Sequence, residues 1–403
     1  MWGLEALWPE LILVFVGLVQ RWRFLSLLGL AGYALGVFTT QELLTPLIYN
    51  AQKAVEMVGL FSGLSLLAWG VAPPSKPAGW AILLQLGSYG LLLRSSHLAF
   101  SWATLETGAL GGYFLVAAQS VRPERWQAAL RYLIWSMIGS ALILLGIAVR
   151  RAYGLALEIP LQPSESFSEL LLGWGWAIKS GFIPWHFWVI GVYRVLPAAW
   201  TGWFATVPKG ALLLAFLNLF PSGGPGLAVG SFYFLAVISL LSGYALAWRR
   251  ESLLEKLFWA SLAQAPYLAL AAYPRGTGAG WAFWTVYGIA TFLSFLYVEQ
   301  PWRGLNGHAI GLLLLANLAG LPPVLGFWVK LQLFWAGLQH TALAYRGLLV
   351  GAAALATVGG VAVYGRILWE LWQAPPTPAP PFWRKLLYLS GGFGLFGFGV
   401  LGL

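Results

Sequence analysis

The chain reads as apolar runs of about 20 residues broken by short polar punctuation, the length a helix needs to cross a hydrocarbon layer. Fourteen such runs lie in the 403 residues, near 6–20, 24–40, 54–72, 79–94, 96–118, 127–150, 168–195, 198–220, 225–248, 252–273, 279–298, 309–335, 343–371 and 384–403. Inside a bilayer every backbone polar group must be satisfied within the chain, so each run predicts a helix. The expected architecture is an all-α polytopic membrane protein. Two runs are predicted to be broken helices, because Pro184 interrupts the seventh and Pro322 with Pro323 the twelfth, and proline removes a helix hydrogen bond. Interrupted helices at matching places in two halves are the mark of an inverted repeat. The peptides WATLE (102–106) and WASLA (259–263) also recur five spans apart. The pattern therefore predicts three leading helices over 1–78, a first five-helix repeat over 79–222 and a second over 223–372. A proline-rich linker and a last helix fill 373–403.

Composition agrees: 59% of residues are hydrophobic, 9% are charged, and the mean hydropathy is +0.75, outside the range of soluble domains. The net charge of +10 is scattered singly between apolar runs, as in membrane loops, and so does not point to nucleic acid. Cysteine is absent, which excludes disulfides, thiolate-held iron–sulfur clusters and Cys-type zinc sites. Of the four histidines only His186 sits inside a span, so a bis-histidine haem is not expected. The first ten residues are acidic rather than basic, and the first run reads as a retained helix. Twelve basic residues, Arg249, Arg250 and Lys256 among them, fall in one set of loops and six, including Arg150 and Arg151, in the other. By the positive-inside rule both termini lie outside the cytoplasm.

Charged groups inside the spans are the candidate chemistry. A lysine at the centre of a membrane helix costs about 2.5–3.5 kcal/mol on insertion scales, so Lys179 and Lys209 mark an ion path by default. Glu106 lies mid-span, about 18–24 Å of helical rise from Arg94 and Arg122, and needs a partner from another helix or a proton. The structural alternatives are a neutral glutamate bonded to a serine or carbonyl, and lysines paired for stability alone. Burial favours a neutral lysine and pairing a charged one, so a Glu–Lys pair that opens and closes changes the lysine's hold on its proton. Lys330 follows the double proline, with snorkelling from a helix end as its alternative. Arg131, at the start of the sixth span, reads as a snorkelling residue, and His186, in PWHFW, as a satisfied core histidine. GFGLFG (392–397) matches a dinucleotide fingerprint only formally, with no strand before it and no acidic residue after it.

These residues resemble a known family, the antiporter-like membrane subunits of respiratory complex I, shared with Mrp-type cation/proton antiporters and membrane-bound hydrogenases. The resemblance rests on LAGLPPVLGFWVK (318–330), IKSGFIPWHFW (178–188), ATVPKGA (205–211), Glu106 and RYLIWSMIGSALILLGIA (131–148), in the family's order. The opening WPELILVFVGL and the end after fourteen spans are most similar to N-type members. The resemblance implies two inverted five-helix bundles, with Glu106 biasing Lys179, Lys209 as the central relay and Lys330 leading to the outer exit. It implies other membrane subunits as partners, antiporter-like paralogues among them, with lipid around them. It places NADH, FMN, iron–sulfur clusters and quinone on partner subunits and none on this chain.

The sequence departs from the family in three places. Gln264, in SLAQAPY, stands where the family often has histidine, as glutamine does in Mrp-type members. Ile190-Gly191 replaces a Pro-Asp pair, and Arg131 replaces a lysine. Arginine stays charged, so Arg131 can only be an electrostatic fixture. The expected function is proton translocation within an NADH:quinone oxidoreductase of a bacterial cell membrane. The alternatives are a subunit of an Mrp-type sodium/proton antiporter or hydrogenase-type complex, and a structural membrane scaffold.

Overall fold

The computed structural model describes residues 75–118, 123–161, 164, 167–220, 227–271, 277–301, 305–339, 343–373 and 388. The expected spans near 6–20, 24–40, 54–72 and 384–403 lie outside or almost wholly outside these residues, as do the leading helices and the final appendage. Within the described residues the fold is helical, and the nearest approach to a strand is one isolated bridge between His97 and Glu158.

The helices follow the apolar runs: α1 Lys76–Leu93, α2 Leu98–Ala118, α3 Pro123–Ala152, α4 Phe167–Ser180, α5 Phe187–Val195 and α6 Ala198–Leu219. They continue as α7 Leu227–Trp248, α8 Leu253–Gln264, α9 Thr277–Glu299, α10 Leu305–Ala319, α11 Leu325–Leu338 and α12 Leu343–Gln373. Five of them, α3, α6, α7, α9 and α12, are long and apolar enough to cross a membrane. Burial orders them: 94% of the spanning residues of α6 are inside, against 39% in α3 and α12. A helix apolar on all sides belongs in the centre, and α6 is the axis. It packs on α1, α4 and α9, while α3 lies on α4 and α12 on α7.

Both expected breaks are present and end alike. Helix α4 closes on Gly181 (φ +72°), with the Gly181 and Phe182 N–H groups donating to Ile178 O and Ala177 O. Helix α10 closes on Gly320 (φ +76°), with Gly320 and Leu321 both donating to Ala316 O. Only glycine takes that left-handed backbone without penalty, and the bonds satisfy carbonyls a helix end leaves orphaned. Past the second break the Gly326 N–H, an orphan donor in the first turn of α11, bonds Asn317 Oδ1 at 2.9 Å. Past the first, Ile183 N–H donates to Ser239 Oγ at 2.9 Å, tying the break to α7.

Two expectations need correction. The run 252–273 is not one α-helix: it passes at Ala265 into a 3-10 helix, Ala265–Ala271, because Pro266 has no N–H to carry the α pattern onward. Arg150 and Lys256 are not loop charges, each being 1% exposed. Arg150 lies 3.6 Å from Glu169 across α3 and α4, and Lys256 pairs with Glu370, which also binds Arg366 at 2.8 Å. Removing both from the loop counts leaves the charge imbalance pointing the same way.

Candidate functional site

Helices α3 and α4 cross with glycine against glycine. A Cβ on Gly175 would stand 2.7 Å from the Gly139 carbonyl oxygen. That approach lets short side chains of α3 reach Lys179 on α4. Lys179 Nζ donates to Ser136 Oγ at 2.9 Å and lies 3.2 Å from Glu106 Oε2. Ser140, one turn beyond Ser136, donates to the same carboxylate oxygen. Lys179 is buried while Glu106 keeps 24% of its side chain exposed, so the pair sits at an edge of the bundle with one member reaching outward.

Lys209 lies on the central helix directly after Pro208, which cannot donate to the Phe204 carbonyl. At the next residue Trp284 of α9 packs on Gly210, where a Cβ would collide with its Nε1, and that nitrogen donates to Thr206 O at 3.2 Å. Helix α9 is thus locked to α6 at the level of Lys209. The Lys209 Nζ is buried, has no hydrogen bond to any described group, and lies 5.8 Å from the centroid of the Tyr193 ring.

Lys179 and Lys209 line one internal cavity, with Tyr132, Ser136, Tyr193 and Pro208 among its walls. The space open to the centre of a water molecule there is about 30 Å³. At 10–15 Å³ for each water, that is room for about two.

A second cluster surrounds Lys330. Its Nζ donates to Leu318 O at 2.8 Å and Ala319 O at 3.1 Å, the carbonyls at the C-terminus of α10, and stands 4.9 Å from the Tyr267 ring centroid. A cation there complements the negative end of the helix dipole. Gln264 Nε2 donates to the same Leu318 carbonyl and to Tyr364 Oη at 3.3 Å. Gln264 and Lys330 line a smaller cavity of about 10 Å³ by the same measure, space for about one water.

The structure therefore brings Glu106, Lys179 and Lys209 to one site, and Gln264 with Lys330 to another. Lys330 does not snorkel: it is buried and bonded. Arg131 is exposed on α3 and faces neither cavity. His186 is buried against the Trp259 ring, 4.9 Å between centroids, and lines neither cavity. Pro184, Pro322 and Pro323 stand exposed at the breaks. Sequence reasoning missed Ser136 and Ser140. Their signal was a serine pair at i, i+4 around Gly139, placing both hydroxyls on one helix face. Among the described residues no group of three or more His, Cys, Asp or Glu side chains is placed to hold a metal ion.

The family model described as the transmembrane region of NADH:quinone oxidoreductase and Mrp antiporters matches residues 95–301. The chain belongs to this family. The match takes in Glu106, Lys179, Lys209 and Gln264, and ends before Lys330. A relative from Geobacter metallireducens, named NADH-quinone oxidoreductase subunit N, is 30% identical over 329 residues, covering 72% of this chain and 70% of its own. Two solved structures share the fold. One is a chain of respiratory complex I from Thermus thermophilus with bound Aureothin, at TM-score 0.78 and 24% identity, covering 97% of this chain and 95% of that one. The other is a chain of the Mrp complex from Dietzia sp., at TM-score 0.75 and 17% identity, covering 99% and 95%. Membership in the complex I and Mrp family accords with the multi-pass arrangement of the described helices.

Proposed function

We propose that this chain is the N-type membrane subunit of an NADH:quinone oxidoreductase and moves protons through a Glu106–Lys179–Lys209–Lys330 relay. The observation that carries the reading is the buried Lys179, paired with Glu106 on one side and sharing a water-sized cavity with the unpartnered Lys209 on the other. When the Glu106–Lys179 pair is closed, the carboxylate holds the lysine charged. When it opens, the buried ammonium loses its counter-charge and gives its proton, through water in the shared cavity, to the lone pair of a neutral Lys209 amine, since a buried cation without its counter-charge is costly. Serine hydroxyls at Ser136 and Ser140 hold the closed pair in place. Lys330, bonded to the Leu318 and Ala319 carbonyls at the second break, passes the proton outward.

On this reading the electron carriers NADH, FMN, iron–sulfur clusters and quinone sit on partner subunits. This chain contributes pumping within the translocase without redox chemistry of its own. The two interrupted helices belong to inverted repeats within a bundle of fourteen, packed against antiporter-like paralogues in a bacterial cell membrane with both termini outside the cytoplasm.

Replacing Lys209 by alanine in the assembled complex is expected to abolish this subunit's share of proton pumping in sealed vesicles. Undiminished pumping contradicts the relay. A second reading, a subunit of an Mrp-type antiporter, is favoured by Gln264 and by the likeness to the Dietzia chain. The subunits that co-purify with the chain decide between them. A purely structural scaffold instead predicts that Lys179→Ala breaks assembly and leaves pumping per assembled complex unchanged.

A further inference from the structure

Helices α7 and α12 meet at Tyr244, whose side chain lies against Gly359 and Gly360, where an added Cβ would stand 3.1 and 3.0 Å from it. Beside that contact the helices part into an open groove. About 230 Å³ of it is open to the centre of a water molecule, against about 30 Å³ in the Lys179–Lys209 cavity. Its lining sets the small residues Ala245, Gly359 and Ala362 beside Leu241, Trp248 and Leu355, each at least 44% exposed. From Leu241 to Trp248 it runs about 10 Å along the axis of α7. The lining is apolar along this length, and no described side chain fills it.

The end at Trp248 is different in kind. The Arg366 guanidinium lies over the Trp248 ring, 5.0 Å from its centroid, and Nη1 donates to Trp248 O at 2.6 Å. Nε donates to Glu370 at 2.8 Å, so the two bonds use two of the five N–H donors of a side chain that is 34% exposed. Glu370 is also the partner of Lys256, and one carboxylate cannot neutralise two cations. Arg249, the residue after Trp248, is exposed, while Arg250 is engaged with the Trp259 ring. Against Arg249, Arg250, Lys256 and Arg366 stand the carboxylates of Glu251 and Glu370, which leaves two positive charges in excess. Trp248, Trp369 and Trp372 are all exposed at this end, as aromatic side chains are where a membrane meets water.

We infer that the α7–α12 groove is a binding site for an anionic phospholipid, with an acyl chain along the groove and the phosphate on Arg366 and Arg249. An apolar furrow alone would take any lipid. An arginine with unused donors at its mouth selects a phosphate, which it can bind with two parallel N–H bonds. Excess positive charge there adds a preference for headgroups of net negative charge, as basic pockets between membrane helices show in general. The site stands apart from the proton relay and holds or fails without it.

The whole complex, reconstituted in phosphatidylcholine liposomes, is exposed in turn to phosphatidylglycerol and phosphatidylcholine probes that carry the same photoreactive acyl chain, and the labelled peptides are mapped by mass spectrometry. Residues 241–248 and 355–363 are expected to be labelled by the phosphatidylglycerol probe about fivefold or more above the phosphatidylcholine probe, the preference one arginine supplies. Arg249→Gln with Arg366→Gln is expected to bring the two probes level, and Ala362→Phe, which fills the groove, to reduce labelling by both. Equal labelling by both probes in the unaltered complex means ordinary lipid contact and overturns the site. Absence of labelling means that a neighbouring subunit covers the groove and overturns it too, as does a preference that survives the arginine variants. Should Arg366→Gln not assemble, Arg249→Gln and Ala362→Phe decide by the same readings.

Discussion

At Glu106 a carboxylate a quarter exposed on α2 must hold a lysine that is almost wholly buried on α4, and two serines of α3 make the geometry work. A hydrogen bond to a charged group contributes about 1.5–3 kcal/mol, toward the lower figure where the acceptor is partly wetted. Ser140→Ala is therefore expected to weaken the closed pair without dismantling it. Pumping by the assembled complex should slow while the yield of complex holds; an unchanged rate would remove Ser140 from the site. The ionisable members were legible in the sequence because Glu106, Lys179 and Lys209 interrupt apolar runs where a charge is costly. Ser136 and Ser140 were not, because serine is at home in apolar helices. Nothing in the sequence order shows that α3 turns their hydroxyls toward α4.

At the scale of elements, the breaks were legible and most of their neighbours were not. Pro184 and Pro322–Pro323 announce interruptions, and the closing bonds at Gly181 and Gly320 follow from helix-end chemistry. The change to a 3-10 helix at Ala265 was overlooked because a single proline late in an apolar run does not say whether the helix kinks or tightens. The crossing of α3 and α4 offers the sharpest test of element packing. Gly175→Ala drives a methyl to 2.7 Å of the Gly139 carbonyl, and such overpacking costs about 1–3 kcal/mol. Thermal unfolding of the purified complex is expected at lower temperature, with pumping reduced through the displaced Lys179. An unaltered midpoint would mean the crossing is looser than it stands here. Arg150 and Glu169 join the same two helices near their other ends. Breaking a buried ion pair from one side costs about 3–5 kcal/mol, so Arg150→Met should lower the yield of assembled complex sharply. A normal yield would show that Glu169 is held well enough without it.

For the whole molecule, the order of spans fixed what could be near what only in outline. Ten of the expected spans coincide with described helices or interrupted pairs of them. Which span forms the axis was not evident, since all runs are similarly apolar and only packing buries α6 on every side. Lys256 and Glu370 stand 114 residues apart and meet because α8 and α12 pack together, which made Lys256 read as a loop charge. Packing leaves two separate cavities, one lined by Lys179 and Lys209 and the other by Gln264 and Lys330. In the proposed relay Lys209, in the wall of the first cavity, takes up and releases a proton rather than merely carrying charge.

Proton pumping by the complex carrying Lys209→Arg tests that requirement most directly. Arginine keeps the positive charge at the end of a long side chain but does not release its proton. Pumping as low as in Lys209→Ala, in a fully assembled complex, is the expected result. Pumping at the rate of the unaltered protein would show that a fixed charge suffices and would contradict the relay.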